Sequence, residues 1–283
     1  MRILVCGGGG LVGRAVVGEA RRRGWPVAGP DRDEVDITDA GAVARALAGF
    51  RPAVAVNCAA FTRVDDCERE PGAAFRLNGQ AVGILARECA RAGVRLVHLS
   101  TDYVFDGQGT APYPEDHPTA PRSVYGASKL AGEQQALAIP EALVVRTSWI
   151  FGSGGPNFVD TIRARIESGA AELAVVADQV GAPTFAPFLA RALADLGESG
   201  ASGVVHYQNR PAVSWYEFAL EIAGRLGRPV AVRPVTTAEV PRPARRPRYS
   251  VLAVERFERL AGRGVEDWRA GLAEHLGTTE EKR

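Results

Sequence analysis

Directly after its first apolar run, "RILVC", the chain places four consecutive glycines and then a helical pattern, giving "GGGGLVG" at 7–13. A strand cannot run on through four residues without side chains, so the chain must turn there. Gly7, Gly10 and Gly13 fall in a G-x-x-G-x-x-G spacing. Glycines so placed allow a tight turn, close backbone approach to a pyrophosphate, and close packing of helix on strand. The helix that opens at Leu11 and Val12 offers free N–H groups and the positive end of its dipole to an anion. A ligand-free glycine turn is the bland alternative. The position between a first strand and a first helix makes Gly7, Gly10, Leu11, Val12 and Gly13 candidates for holding a dinucleotide.

The same strand–helix alternation continues. Apolar runs at 2–7, 25–29, 53–57, 94–100 and 142–148 alternate with helical patterns near 10–23, 40–50, 73–92 and around Tyr125. The runs are unbroken rather than alternating, as in parallel strands covered on both faces. The fold class expected is α/β: a doubly wound Rossmann-type parallel sheet with a smaller C-terminal substrate-binding lobe. The expected division is 1–150 for the NAD(P)-binding part and 151–276 for the lobe plus a returning sheet strand. The last stretch, 277–283, reads as a flexible tail. A strand at 172–184, helices at 185–196 and 214–226, and an irregular Pro-rich loop at 234–250 fill the second half.

Of 283 residues, 46% are hydrophobic, enough for a sizeable core. The 34 basic and 33 acidic residues nearly cancel, so charge makes no case for nucleic acid or a membrane surface. Four scattered cysteines without a CxxC pair suit a reduced, cytoplasmic protein. No apolar run has the length of a membrane span, and no metal ligand set is expected. His98, in a strand, reads as a core residue. Asp65, Asp66 and the acidic pair at 115–116 read as solvated loop residues.

The end of the second strand reads "GPDRDEVDITD". Asp31 suits the ribose 2′-hydroxyl of NAD, and Arg32 suits the 2′-phosphate of NADP. The balance favours NADPH, with NADH as the alternative. Asp36 and Ile37 are candidates to flank the adenine, against a plain role at the start of the helix at 40–50. Asn57, Ala59 and Ala60 follow the third strand and would pass beside the cofactor. Asn78 reads as an ordinary polar position on the long helix at 73–92, with bracing of the active-site strand as the alternative.

In "SVYGASKLAGE", Tyr125 and Lys129 stand at i and i+4, on one helix face. A phenol ordinarily titrates at about 10, and an adjacent ammonium favours its ionised form. The pair would make a proton donor for a carbonyl receiving hydride. The small Gly126, Ala127 and Ser128 would let the helix lie close to the nicotinamide. A Tyr–Lys pair alone is weak evidence. "LSTDYVFDG" places Thr101 at the C-terminal end of the fourth strand, where open α/β sheets bind ligands. Thr101 could hydrogen-bond the substrate carbonyl and complete a Thr–Tyr–Lys set. The basic, Pro-rich "RPARRPRYS" at 242–250 suits a loop that grips an anion.

These stretches, with "VVRTSWIFG", "VVADQVGAPT", "SWYEFA" and "ARRPRYSVL", together resemble the extended short-chain dehydrogenase/reductase family over nearly the whole chain. Their order is most similar to its members that reduce dTDP-4-dehydro sugars. The resemblance implies catalysis by Thr101, Tyr125 and Lys129, with Tyr125 and Lys129 also touching the cofactor. It implies a substrate pocket formed by Asp102, Tyr103, Trp149, Asn157, Phe158 and Arg246, with Arg246 on the nucleotide diphosphate. Trp149 as core filler between lobes stays open. The implied reaction is NAD(P)H-dependent reduction of the C4 ketone of dTDP-4-dehydro-β-L-rhamnose to dTDP-β-L-rhamnose. Another dTDP-4-keto-deoxysugar is the alternative substrate. A rival of another class is a dinucleotide-binding regulatory subunit resembling that of methionine adenosyltransferase. A homodimer and a magnesium ion at a dimer contact are left open.

Overall fold

The computed structural model of the chain describes residues 1–277. Its elements run β1 (Ile3–Cys6), α1 (Leu11–Arg22), β2 (Val27–Ala28), α2 (Ala40–Phe50), β3 (Val54–Asn57), α3 (Val64–Arg69), α4 (Pro71–Phe75), α5 (Ala81–Ala92) and β4 (Arg95–Thr101). They continue α6 (Val124–Leu137), β5 (Leu143–Thr147), β6 (Ile150–Phe151), α7 (Phe158–Glu167), β7 (Glu172–Val176), β8 (Val180–Gly181), β9 (Thr184–Phe185) and α8 (Ala186–Glu198). Last come β10 (Gly203–His206), β11 (Val213–Ser214), α9 (Trp215–Leu226), β12 (Ala231–Val235), α10 (Glu255–Ala261) and α11 (Trp268–Leu276).

Six strands form one parallel sheet in the order β10-β5-β4-β3-β1-β2. The side chains of β1 show why its apolar run is unbroken. Ile3 and Val5 enter one core, with α1, α8 and α11, while Leu4 and Cys6 enter the other, with α2 and α5. Successive residues of a strand face opposite ways, so a sheet covered on both sides needs apolar residues at every position. Strand order reverses direction at β1 and β3. In open α/β sheets the ligand crevice lies at such a point, beyond the strands' C-terminal ends.

Two features differ from the sequence reading. The strand expected at 172–184 does not join this sheet. Its β7 pairs in parallel with β12 in a separate two-stranded ribbon. Leu173 and Val175 are buried while Glu172 and Ala174 are exposed, the alternation of a ribbon covered on one face. The sixth sheet strand is β10, which returns to pair with β5. The long helix expected at 73–92 is also broken. Between α4 and α5, Arg76–Gln80 form a π-helical turn. Of the expected tail, Gly277 caps α11 in a left-handed conformation, and 278–283 lie outside the described residues.

Candidate active site

The turn after β1 is as tight as its glycines allow. Gly7 has φ +75°, and a Cβ there would come within 2.9 Å of the Ala59 backbone nitrogen. A Cβ on Gly13 would run into the Gly7 carbonyl oxygen. Both glycines are required by the protein's own packing. Gly10 is different: the one neighbour a Cβ would meet is the Gly7 oxygen at 3.4 Å. Gly10 is the N-cap of α1 and puts no side chain on the first-turn N–H groups. An open N-terminus of this kind fits a pyrophosphate.

The Asp31 carboxylate accepts a hydrogen bond from the Gly9 N–H at 2.6 Å. Arg32 is 82% exposed, with Asp36 3.6 Å from its guanidinium. Asp36 is held below the ordinary carboxylate range by the Thr38 N–H and hydroxyl, which donate to it. Ile37 packs in the core beside Leu47. The cap of α2 is Asp39, which accepts from Gly41 and Ala42. Asn57 accepts from the Ala59 N–H at 3.1 Å and lies 3.1 Å from His98 Nδ1, so it stiffens the strand ends that carry Ala59 and Ala60. His98 is fully buried.

Thr101 ends β4. Its hydroxyl donates to Asp102 at 2.9 Å and accepts from the Tyr103 N–H at 3.2 Å. α6 begins at the Ser123 cap, which accepts from the Gly126 N–H, and so brings Tyr125 and Lys129 up to this strand end. Lys129 is buried and donates to the Leu99 carbonyl at 2.6 Å. The expected lowering of the Tyr125 pKa by Lys129 is not found. Desolvation pushes the phenol above its ordinary value, and the neighbouring Asp102 adds to the rise. Desolvation also lowers Lys129 to about 8. Burial penalises each charged form more than the neighbour supports it. Asp102, buried, is raised to about 6 by the same cause.

The small residues of α6 also serve the packing of the protein itself. A Cβ on Gly126 would run into the Tyr103 carbonyl oxygen, and one on Gly132 into the Asn78 carbonyl oxygen. They let α6 close on the 3₁₀ turn at Asp102–Val104 and on the π-helical turn. Ser128 is fully buried and accepts from Asn78 Nδ2 at 3.0 Å. Asn78, read as an ordinary helix residue, is fully buried. Its amide accepts from the Phe61 N–H at 2.7 Å and donates to the Phe61 carbonyl at 3.0 Å. It therefore ties the loop after β3 to α6. An isolated Asn in a helical pattern carries no signal of this; π-helical turns recur at functional sites.

Tyr103 sets its ring edge-on to Tyr125, with centroids 5.5 Å apart. Trp149 follows β5 with φ +45°, an uncommon conformation for a bulky residue. Its indole stacks on Trp215 at 3.5 Å and 7°, and a Cβ on Gly181 would strike it. Phe158 packs on Trp215 at 4.6 Å. Trp215 was not singled out from sequence; the capping box of Ser214 and Glu217 that sets it at the first turn of α9 is the signal that places it. Asn157 caps α7. Its amide donates to the Gly152 and Gly155 carbonyls and to Asp160, so its polar atoms are spent inside the loop. Arg246 Nη1 reaches the Tyr103 hydroxyl at 3.4 Å. Asp65, read as solvated, pairs with Arg246 at 3.0 Å. Of the other acidic pair, Glu115 accepts from the His206 N–H. Among the described residues no three His, Cys, Asp or Glu side chains come together in a group that could hold a metal ion.

A parallel doubly wound sheet with a glycine turn after β1 and a Thr–Tyr–Lys group at the end of β4 defines a short-chain dehydrogenase/reductase. Within that class the chain belongs to the family described as RmlD substrate binding domain, which it matches over residues 1–280. It is 44% identical to a dTDP-4-dehydrorhamnose reductase of Streptomyces griseus, over 96% of this chain and 92% of that one. It is 45% identical to a probable dTDP-4,6-dihydroxy-2-methyloxan-3-one 4-ketoreductase of Streptomyces antibioticus, over 97% and 94%. The crystal structure of the Bacillus anthracis dTDP-4-dehydrorhamnose reductase in complex with NADP superposes with a TM-score of 0.93 at 34% identity. That match covers 98% of this chain and 99% of that one. No helix among the described residues is long and apolar enough to cross a membrane.

Proposed function

We propose that the chain reduces the C4 ketone of dTDP-4-dehydro-β-L-rhamnose to dTDP-β-L-rhamnose with NADPH. The observation that carries this reading is the gathering of Thr101, Tyr125 and Lys129 at the same C-terminal edge of the parallel sheet as the glycine turn, with Arg246 reaching the adjoining Tyr103 hydroxyl. The nicotinamide, when bound, supplies the hydride. Gly7, Gly10, Leu11, Val12 and Gly13 would hold its pyrophosphate. Arg32, exposed while Asp31 is tied to the Gly9 N–H, would meet the 2′-phosphate and favours NADPH over NADH.

Tyr125 gives its phenolic proton to the C4 oxygen. Burial keeps that phenol neutral, which is the form a reductase needs at the start of the reaction. The Lys129 ammonium, one turn away, offsets the negative charge the phenol acquires as the proton leaves. Thr101 orients the ketone through its hydroxyl. Tyr103 and Trp149 bound the sugar, and Arg246 pairs with the diphosphate. Asn157 shapes the loop at 152–157, and Phe158 backs the aromatic wall. The regulatory-subunit alternative is not favoured, because the relatives matched over the whole chain are reductases.

The test is NADPH consumption with enzymatically made dTDP-4-dehydrorhamnose, the product identified by mass and sugar configuration. Turnover to dTDP-L-rhamnose supports the reading. Tyr125→Phe should lower kcat by about 10²–10⁴-fold and leave NADPH affinity unchanged. Absence of turnover in folded wild-type protein that binds NADPH overturns it.

A further inference from the structure

Asp65 has no part in the reaction just described, yet it makes the contacts that fix the arginine loop. We infer that Asp65 is a positioning residue: it holds Arg246 in place to grip the substrate diphosphate. The inference rests on the reading that this pocket takes a nucleotide-linked sugar.

The loop from Val240 to Pro247 reads "VPRPARRP". Pro241, Pro243 and Pro247 have no N–H to donate. Among the described residues, the one backbone N–H between 241 and 247 with a protein partner is that of Ala244, and the partner is Asp65 Oδ1 at 3.1 Å. Asp65 Oδ2 takes the Arg246 guanidinium at 3.0 Å, with Arg242 4.0 Å away. A single carboxylate on α3 thus fixes both the backbone and the key side chain of this segment. The far end of the loop is pinned independently. Arg248 and Tyr249 donate to the Gly107 carbonyl, and Ser250 donates to the Val180 carbonyl at 2.8 Å. Without Asp65 the 242–246 stretch would keep three arginines and be left with the longer 3.4 Å bond from Arg246 to the Tyr103 hydroxyl as its tie to the first half of the chain.

What Asp65 places is next to the chemistry. Arg246 bonds the Tyr103 hydroxyl, and the Tyr103 ring meets Tyr125 edge-on. Beside them is a small hollow of about 10 Å³ whose lining includes Tyr103, Asp106, Arg122, Arg245 and Arg246, three arginines against one carboxylate, a net basic wall for an anion. Asp65 and Arg246 are only 24% and 20% exposed, so solvent screens the pair less than a surface pair. A guanidinium already held does not have to be ordered when the ligand arrives, which favours binding. The same carboxylate also competes with the diphosphate for Arg246. The two effects have opposite signs, and the test separates them.

The experiment uses the full chain and dTDP as the probe, with binding measured by calorimetry. Asp65→Asn removes the charge and keeps an oxygen for Ala244. It should weaken dTDP binding by about tenfold, raise KM for the dTDP-sugar by a similar factor, and leave kcat and NADPH affinity within about twofold. Asp65→Glu should recover most of the loss. In an Arg246→Gln background Asp65→Asn should add nothing, because it acts through that guanidinium. Unchanged or tighter dTDP binding in Asp65→Asn overturns the inference. So does an effect that persists undiminished in Arg246→Gln. Wild-type protein that binds dTDP but reduces no ketosugar sinks the proposed reaction and leaves Asp65 testable by dTDP affinity. Wild-type protein that binds no dTDP sinks this inference.

Discussion

At Lys129 the proposed catalytic role and the stability of the fold pull in opposite directions. Its ammonium is buried against the Leu99 carbonyl, and desolvation lowers its pKa to about 8. Between that value and the ordinary lysine pKa, the unfolded chain binds a proton the folded chain does not. Stability therefore rises with pH across that window, and below about 8 the folded state carries the full cost of the buried charge. Lys129→Met, which removes the charge and keeps the length, should raise Tm at pH 7 and abolish measurable turnover; a lower Tm would show that the ammonium stabilises the fold. The reaction runs the other way. In the proposed mechanism the ammonium offsets the ionising phenol, so kcat/KM should fall as pH rises through about 8. A rate that stays flat to pH 10 would remove Lys129 from the proton-transfer step. The Tyr125–Lys129 spacing was legible because i and i+4 must share a face. The raised phenol was not, because desolvation depends on what the rest of the chain packs around the pair.

α6 is positioned from two sides by contacts that leave no room for larger side chains. Gly126 meets the Tyr103 carbonyl and Gly132 the Asn78 carbonyl. A Cβ at either position strikes backbone, which cannot rotate away. Gly126→Ala should cost about 1–3 kcal/mol of stability, read by denaturant unfolding, and should lower kcat because Tyr125 is the preceding residue. Unchanged stability would mean the 3₁₀ turn can yield. Asn78 makes the second tie. Asn78→Ala would strand the Phe61 N–H and carbonyl and free Ser128, three bonds lost at one buried site. It should lower kcat with little change in the Kd for NADPH, and equal kcat would reduce Asn78 to a packing residue. The helical period of 73–92 is plain in the sequence. The π-helical turn inside it is not, since one extra residue in a turn leaves an apolar stripe almost unchanged, and the bonds that favour it come from Phe61 and Ser128, far away in the chain.

At the scale of the whole molecule, what was legible is what repeats. Five apolar runs and their intervening helices set the parallel sheet, and the glycine turn marked the end of it that the proposed reaction uses. The return of β10 was not assigned to its residues, because "GVVH" is a four-residue run no more apolar than many others. It becomes a sheet strand through its neighbour: β5 presents an open edge, and β10 pairs with it over Leu143–Arg146. This return makes the two halves of the chain interdependent. One core cluster joins Ile3, Val5, Val16, Leu99 and Val145 from the first half to Leu189, Leu193, Val205, Phe218, Trp268 and Leu272 from the second. Arg23 adds ion pairs to Asp195 and Glu198 across the same seam. Cutting at residue 150 would keep the glycine turn and the Thr–Tyr–Lys group but strip one face of the sheet and expose the β5 edge. Exposed apolar sheet edges associate rather than remain monomeric. The fragment 1–150 should therefore show no cooperative thermal transition and should bind a hydrophobic dye, whereas the full chain should melt cooperatively. Sharp melting of the fragment together with NADPH binding would show that the first half is energetically independent, and that the second half serves the pocket alone.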